Sequence, residues 1–488
     1  MLDEIIESTD KYVALRTKKE RKKTGQFFTS KETANFMAKL SSCHKENLKI
    51  LDAGAGTGIL SIALLEKLNK DNKIKNIDID LYENDQNLAQ ILENNMNIAS
   101  EKISKIKECR IIKDNFILHS KDVNEKYDIV ISNPPYKKIG KSSCEAMAMQ
   151  DIVHGQPNMY FLFMEMSERL LKNNGELIFI VPRSWTSGAY FKKFRQEFLQ
   201  NVRITNIHLF MSRDKVFNKE DVLQETIILR AVKTKKPKKR ITITESYGND
   251  DFNKINKYEI DYDICVEKEG ERYVYLPTTE SDVKTLQMIN KFNTKLNDIG
   301  LKLKTGLTVD FRNETSIEKV ANNNNVPLLS SIHFKDGIIN FPSQKNEPQY
   351  IKKDNQSLLQ KNTNYLFIKR FSSKEESRRI QPAMFFRKQY SNYDYISTEN
   401  HINFICSIDN KELQEDLIYG LYGIYNSTLY DKYYRILNGS TQVNATEINN
   451  IPIPNEKELK EIGKHLRERR DISTKSCNNI LMEVLSNE

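Results

Sequence analysis

Cysteine is scarce and scattered in this chain: Cys43, Cys109, Cys144, Cys265, Cys406 and Cys477 are the only six in 488 residues, and none forms a C-x-x-C pair. That spacing argues against a disulfide framework and against a structural zinc site, leaving isolated thiols. Long apolar runs are missing too. The stretch MLDEIIESTDKYVALRTKKERKKTG is charged, with no continuous apolar segment of the signal-peptide kind, and nothing further along has the length of a membrane span. A cytoplasmic protein with no metal and no membrane partner is expected. Internal repeats are absent as well, and only a local Asn and Lys bias is visible.

What is present is globular material, with 39% hydrophobic and 29% charged residues, enough for two or three domains. The formal net charge of +9 suits a polyanion such as nucleic acid, although many soluble proteins are as basic.

From about Leu48 to Leu229 short apolar runs alternate with helical patterns, the mark of a doubly wound, mainly parallel α/β sheet. KILDAG (49–54), IDIDLYE (77–83), CRIIKDN (109–115), YDIVISN (127–133) and GELIFIVP (175–182) read as successive strands. NMYFLFMEMSERLLKNNG reads as a helix that ends on a glycine cap at Gly175. The basic run KTKKPKKR (233–240) then breaks the rhythm and sets a boundary between domains 1–235 and 236–488. A linker and a DNA contact are both compatible with that run. Beyond it, Asn, Lys and Tyr become frequent, and a second domain of mixed α and β structure is expected.

The first strand ends in LDAGAGTG, a glycine turn between strand and helix where backbone can approach a ligand and the helix amino terminus faces it. A dinucleotide loop or a purely structural turn would look similar. The second strand ends in Tyr82-Glu83-Asn84-Asp85, where an acid can accept from two ribose hydroxyls. After the third strand, Asp114 can accept from an adenine amine and the Phe116 ring can cover the base. A loop acid and a core phenylalanine are the plain alternatives.

The fourth strand runs into Asn133-Pro134-Pro135-Tyr136. Two prolines stop the strand, hold φ near about −65° and remove two donors, so the local carbonyls are left as acceptors. That arrangement suits holding a planar amine by its two hydrogens. With the Asn133 side-chain oxygen and the Pro134 carbonyl each accepting one N–H, the nitrogen can pyramidalise and aim its lone pair at an activated methyl, and no strong base is needed. Tyr136 can stack on the target base. A structural Pro-Pro turn is the competing account of the tetrapeptide.

With these pieces in order, the chain resembles the amino-group DNA methyltransferases, of the class whose cofactor motifs precede the catalytic motif and whose recognition domain comes last. The resemblance implies S-adenosyl-L-methionine as cofactor and methylation of adenine N6 in double-stranded DNA. Thr24-Gly25-Gln26-Phe27-Phe28-Thr29-Ser30 is similar to the amino-terminal motif that helps enclose the cofactor, with Thr29 as the contact. Asp52, Ala53, Gly54, Gly56 and Gly58 fit the loop motif, Glu83 the ribose acid, Asp114 the adenine acid and Asn133 to Tyr136 the catalytic motif. Phe163 falls in the helix placed near the cofactor adenine, with Tyr160 and Phe161 close by in register. Lys215-Val216-Phe217-Asn218-Lys219 resembles the motif whose aromatic packs on the extrahelical adenine, and a core position beside ETIILRAV is the alternative for Phe217. Asn115, inserted between Asp114 and Phe116, departs from the family pattern.

The second half resembles the recognition regions of stand-alone type II modification enzymes through TGLTVDFRN, KRFSSKEESRRI, ENHINFI and NGSTQVNATEINNIPIP. The resemblance implies phosphate contacts from Lys369, Arg370, Arg378, Arg379 and Arg387, and base contacts from Arg312, Gln442 and Asn444. A solvated charged face is the alternative for each basic residue. A cognate restriction endonuclease is expected as a separate chain and a functional partner, and monomer and dimer are equally compatible. Relatives of this second half include enzymes acting on CTGCAG-like palindromes. A protein-glutamine or RNA methyltransferase, and a non-catalytic DNA-binding subunit, are the rival classes.

Overall fold

Alternating apolar and amphipathic segments of the first half build one nine-stranded sheet. The computed structural model describes residues 1–14, 16–17, 27–124, 126–212 and 225–486. Its strands are β1 (Asn47–Ala53), β2 (Asn76–Tyr82), β3 (Ile106–Ile112), β4 (Tyr127–Ser132), β5 (Leu171–Pro182), β6 (Val202–Phe210), β7 (Thr226–Lys233), β8 (Arg240–Ser246) and β9 (Asn256–Asp261). They lie in the order β3-β2-β1-β4-β5-β7-β6-β8-β9. β1 to β5 are parallel, and β7 runs antiparallel between β5 and β6. Strand order reverses between β1 and β4, which opens a crevice at their carboxyl ends.

The helices of this layer include α1 (Leu2–Ala14), α2 (Lys31–Leu40), α3 (Ile59–Asn69), α4 (Gln86–Lys102), α5 (Phe116–Ser120), α6 (Met159–Leu170) and α7 (Lys192–Asn201). β4 is buried along its whole length, as a strand covered on both faces must be, and its sequence YDIVIS is correspondingly apolar. Helix starts are set by side-chain caps. Ser30 accepts from Thr33 N, Asp85 from Asn87 N and Leu88 N, and Asn158 from Tyr160 N. Three details differ from expectation. α6 stops at Leu170, and Asn174, with φ 64°, is the left-handed residue in place of Gly175. Gly175 is required for another reason: a Cβ there would lie 2.9 Å from Lys172 O and 3.0 Å from Tyr127 O. β3 ends at Ile112, short of the expected Asn115.

The third difference is the domain boundary. The chain divides into compact units Met1–Thr279 and Glu280–Glu488, so the boundary placed at 235/236 moves to Thr279. The basic run is a turn inside the first unit, because β8 pairs in parallel with β6 and β9 pairs with β8. Ile241 and Ile243 alternate with polar neighbours and are completely buried, which is what draws this segment onto the sheet.

The second unit is mixed α and β, as expected. A six-stranded sheet and a five-stranded sheet of short strands share it with helices Glu280–Ile289, Glu415–Tyr425, Thr428–Leu437, Ala445–Asn450, Glu456–Arg469 and Thr474–Ser486. Leu329, Phe341, Phe367, Phe385 and Phe404 form one of its cores. Among the described residues no helix is long and apolar enough to cross a membrane.

Candidate active site

The glycine turn after β1 is the first wall of the crevice. Gly54, Gly56 and Gly58 have φ of 87°, 57° and 90°, a region closed to most side chains. A Cβ on Gly58 would also lie 2.9 Å from Leu92 Cδ1. The loop is tied to the end of β2, where Tyr82 O accepts from Gly54 N (3.1 Å) and Ala55 N (2.8 Å). Glu83, the next residue, accepts from Gly56 N through Oε2 (2.9 Å) and from Asp85 N through Oε1 (2.8 Å). Burial pushes the Glu83 carboxyl above its ordinary range.

Behind this turn is a cavity of about 440 Å³, lined by Thr29, Gly54, Gly56, Glu83, Asp114, Phe116, Asn133, Pro135 and Phe163 among others. Six separate segments thus bring the expected residues to one place. Asp52, Ala53, Gly58, Pro134 and Tyr136 are not part of that lining. Asp52 is fully buried and accepts from Ser61 Oγ of α3, and burial pushes its carboxyl up to about 7. Ala53 O accepts from Ser132 Oγ, joining the ends of β1 and β4.

The inserted Asn115 does not displace Phe116. Asn115 caps α5 by accepting from Ile117 N and Leu118 N, and its Nδ2 donates to Glu145 Oε1 (2.8 Å). The chain therefore turns at Asn115, and Phe116 is buried at the cavity with its ring 4.9 Å from Phe163 and 5.0 Å from Tyr82. Register in α6 is also settled. Phe163 lines the cavity, Tyr160 meets Ser184 Oγ and the Phe191 ring, and Phe161 packs on Phe191 and Phe194. Sequence reasoning missed Thr57, Asp85, Lys137 and Glu145 in the lining. Asp85 carries a legible signal, since an Asp just before a helical pattern marks an N-cap. Among the described residues, four carboxylates, of Glu83, Asp85, Asp114 and Glu145, line this cavity with one ammonium, of Lys137, a balance suited to a cationic ligand rich in hydroxyl and amine donors.

Asn133 stands at the end of β4 with its amide orientation fixed. Its Nδ2 donates to Phe27 O (2.7 Å) and to Thr29 Oγ1 (3.1 Å). A carbonyl oxygen only accepts, so the nitrogen must face Phe27 and Oδ1 must face away. That Oδ1 is buried and has no hydrogen-bond partner among the described residues. A buried carbonyl left unsatisfied costs about 1–3 kcal/mol, which a ligand N–H can return. Tyr136 donates from its hydroxyl to Ile180 O (3.0 Å) and packs 5.5 Å from the Phe27 ring, so its plane is fixed. Phe217, together with Thr24 to Gln26, lies outside the described residues.

In the second unit the four matching segments converge. Asn400 N donates to Thr308 O (2.8 Å), Arg370 N to His401 O (2.9 Å) and Val443 N to Arg370 O (2.7 Å). Arg312 is exposed over the exposed Phe311 ring, and Lys369, Gln442 and Asn444 are half-buried nearby in sequence to these junctions. Arg370 spends Nη1 on Asn400 O (2.9 Å). Two expected phosphate contacts are corrected. Arg379 is buried, donating to Ser372 Oγ (3.1 Å) and Ser440 O (2.6 Å) with its guanidinium over Tyr434. Arg378 donates to the Tyr425 and Ser427 carbonyls at 3.1 Å each, which closes a helix end. Both are held by the fold because their donors satisfy buried carbonyls.

Residues 27–217 match the family model of the Eco57I restriction-modification methylase. The chain is 32% identical to the type II methyltransferase M.BsuBI of Bacillus subtilis, across 100% of this chain and 99% of that protein. It is 31% identical to the type II methyltransferase M.PstI of Providencia stuartii, across 91% of this chain and 89% of that one. Among solved structures, the Type IIL restriction-modification enzyme MmeI in complex with DNA aligns with a TM-score of 0.53 and 14% identity, over 100% of this chain and 72% of that one. At that identity the likeness is one of fold.

Proposed function

This chain belongs to the gamma-class adenine-N6 DNA methyltransferases of type II restriction-modification systems, and on that premise we propose which of its residues carry the site-specific methyl transfer. S-Adenosyl-L-methionine supplies a methyl group already activated on a sulfonium. The residues of the first unit then have three tasks. Glu83 accepts from the ribose hydroxyls and Asp114 from the adenine amine, while Phe116 and Phe163 cover the base. The glycine turn and Thr29 hold the methionyl part. Asn133 Oδ1 and the Pro134 carbonyl each accept one hydrogen of the flipped adenine amine, and Tyr136 stacks on the base. The nitrogen lone pair is thereby aimed at the methyl, and the amine sheds its proton to solvent once the new bond has made it acidic.

The observation that carries this reading is the oriented and buried Asn133 Oδ1, which has no partner among the described residues. The unit Glu280–Glu488 reads the DNA site, with Arg312, Lys369, Arg370, Gln442 and Asn444 at its surface. A separate endonuclease cutting the same site is the functional partner, in a cytoplasmic setting, and Phe217 is a second aromatic for the flipped base. The test is Asn133→Ala assayed on plasmid DNA with and without CTGCAG. Duplex binding is expected to survive while tritiated methyl transfer falls by about 10²–10³. Retained transfer, or methylation of a ring carbon, would refute the assignment.

A further inference from the structure

The amino-terminal helix α1 precedes the residues matched by the family model, yet it touches two walls of the cavity, and Arg16 just beyond it reaches a third. Thr9 and Thr57 are both buried, and their hydroxyl oxygens are 2.7 Å apart. Thr9 Oγ1 also donates to Ile5 O (2.8 Å). A hydroxyl has one hydrogen, so Thr57 must be the donor in the contact between them. The Thr57 carbonyl is held in turn by Asn95 Nδ2 (2.8 Å). One turn further on, Tyr12 packs edge-on against Phe28 at 6.1 Å, and the Arg16 guanidinium lies over Tyr12 and 3.6 Å from Asp85. Thr57, Phe28 and Asp85 all line the cavity.

We propose that α1 is a strap over the cofactor loop and that Thr9 is a positioning residue that sets the hydrogen-bonding polarity of Thr57. With its hydrogen committed to Thr9, the Thr57 hydroxyl can only accept on the cavity side. An acceptor suits a cationic group of the ligand, such as an ammonium, and matches the excess of carboxylates around it. If Thr9 were apolar, the Thr57 hydrogen would turn toward the cavity and meet that cation with the wrong sign. This inference rests on the cofactor reading above.

The test is isothermal titration of full-length Thr9→Val, Thr9→Ser and wild-type enzyme with S-adenosyl-L-methionine and S-adenosylhomocysteine, together with steady-state methylation. Valine keeps the shape of threonine. The expected result is Kd raised about tenfold for both ligands, KM for the methyl donor rising in step, kcat unchanged, and near-wild-type values in the serine variant. Arg16→Gln, which leaves the loop untouched, is expected to raise both Kd values about threefold. Unchanged Kd values in Thr9→Val beside a lowered Tm overturn the proposal, because Thr9 then only anchors a helix. A wild-type enzyme that binds neither ligand overturns the cofactor reading itself.

Discussion

Replacing Asn133 by aspartate keeps the shape of the side chain and changes only which atoms donate. The new oxygen would take the place of Nδ2, 2.7 Å from Phe27 O and 3.1 Å from Thr29 Oγ1. Thr29 can donate to it, but the Phe27 carbonyl cannot. An ionised carboxylate there would be half-buried against a carbonyl dipole, which pushes the aspartate above its ordinary range. The protonated form can donate its O–H to Phe27 O and still leave a carbonyl oxygen for the adenine amine. The sign follows: activity resides in the protonated form and grows as pH falls through the raised pKa. Single-turnover transfer of tritiated methyl to a duplex, normalised to wild type at each pH, should therefore rise as pH is lowered from 7.5 to 5.5, by at most about tenfold for each pH unit. A flat ratio, or one that falls toward acid, would show that the Asn133 amide is not held as described.

Three further perturbations bear on other parts of the molecule. Glu83→Gln replaces one of two acceptors with a donor facing a backbone N–H, and should raise the Kd for S-adenosyl-L-methionine by about 10- to 100-fold in calorimetry. Burial holds the Glu83 carboxyl high and the charged form makes these contacts, so wild-type affinity should weaken on acidification before an ordinary glutamate would protonate, and the glutamine variant should lack that limb. Arg379→Ala strips buried hydrogen bonds and packing, at about 2–4 kcal/mol, and should lower Tm by about 5–15 °C. Arg312→Ala should leave Tm in place and narrow the affinity gap between the cognate duplex and an unrelated one by about 1–3 kcal/mol, and the opposite pattern for the two arginines would reverse their assignments.

The catalytic end of the molecule was legible because its chemistry is local. Each strand of the parallel sheet delivers its functional residue at its own carboxyl end, so the order of strands in the sequence already brings Gly54, Glu83, Asp114 and Asn133 to one crevice. Even the inserted Asn115 was absorbed locally, by capping a helix that carries Phe116 inward. What could not be read was the part played by backbone and by neighbours of the motifs. The two acceptors that hold the Asn133 amide come from residues more than a hundred positions away, and the contact between Thr9 and Thr57 has no spacing rule behind it. The basic run 233–240 was misread as a domain boundary because charge outweighed the period-two alternation of Ile241 and Ile243.

Recognition residues are a different problem, and Arg378 and Arg379 show why. In sequence they sit in a basic segment, KRFSSKEESRRI, beside Lys369 and Arg370, and nothing in residue type separates the four. Their roles diverge only once the helices from 415 to 437 are in place, because the carbonyls of Tyr425 and Ser427 and the loop at Ser440 offer acceptors that water cannot reach. An arginine next to such acceptors is captured by the fold when guanidinium donors and carbonyls satisfy one another, since either left buried and unmet is costly. The reading surface is therefore what remains after the fold has taken the cations it needs. Backbone pairing gathers the segments near 308, 370, 400 and 442, and on the proposed reading that convergence, more than the count of positive charges, sets which bases are met.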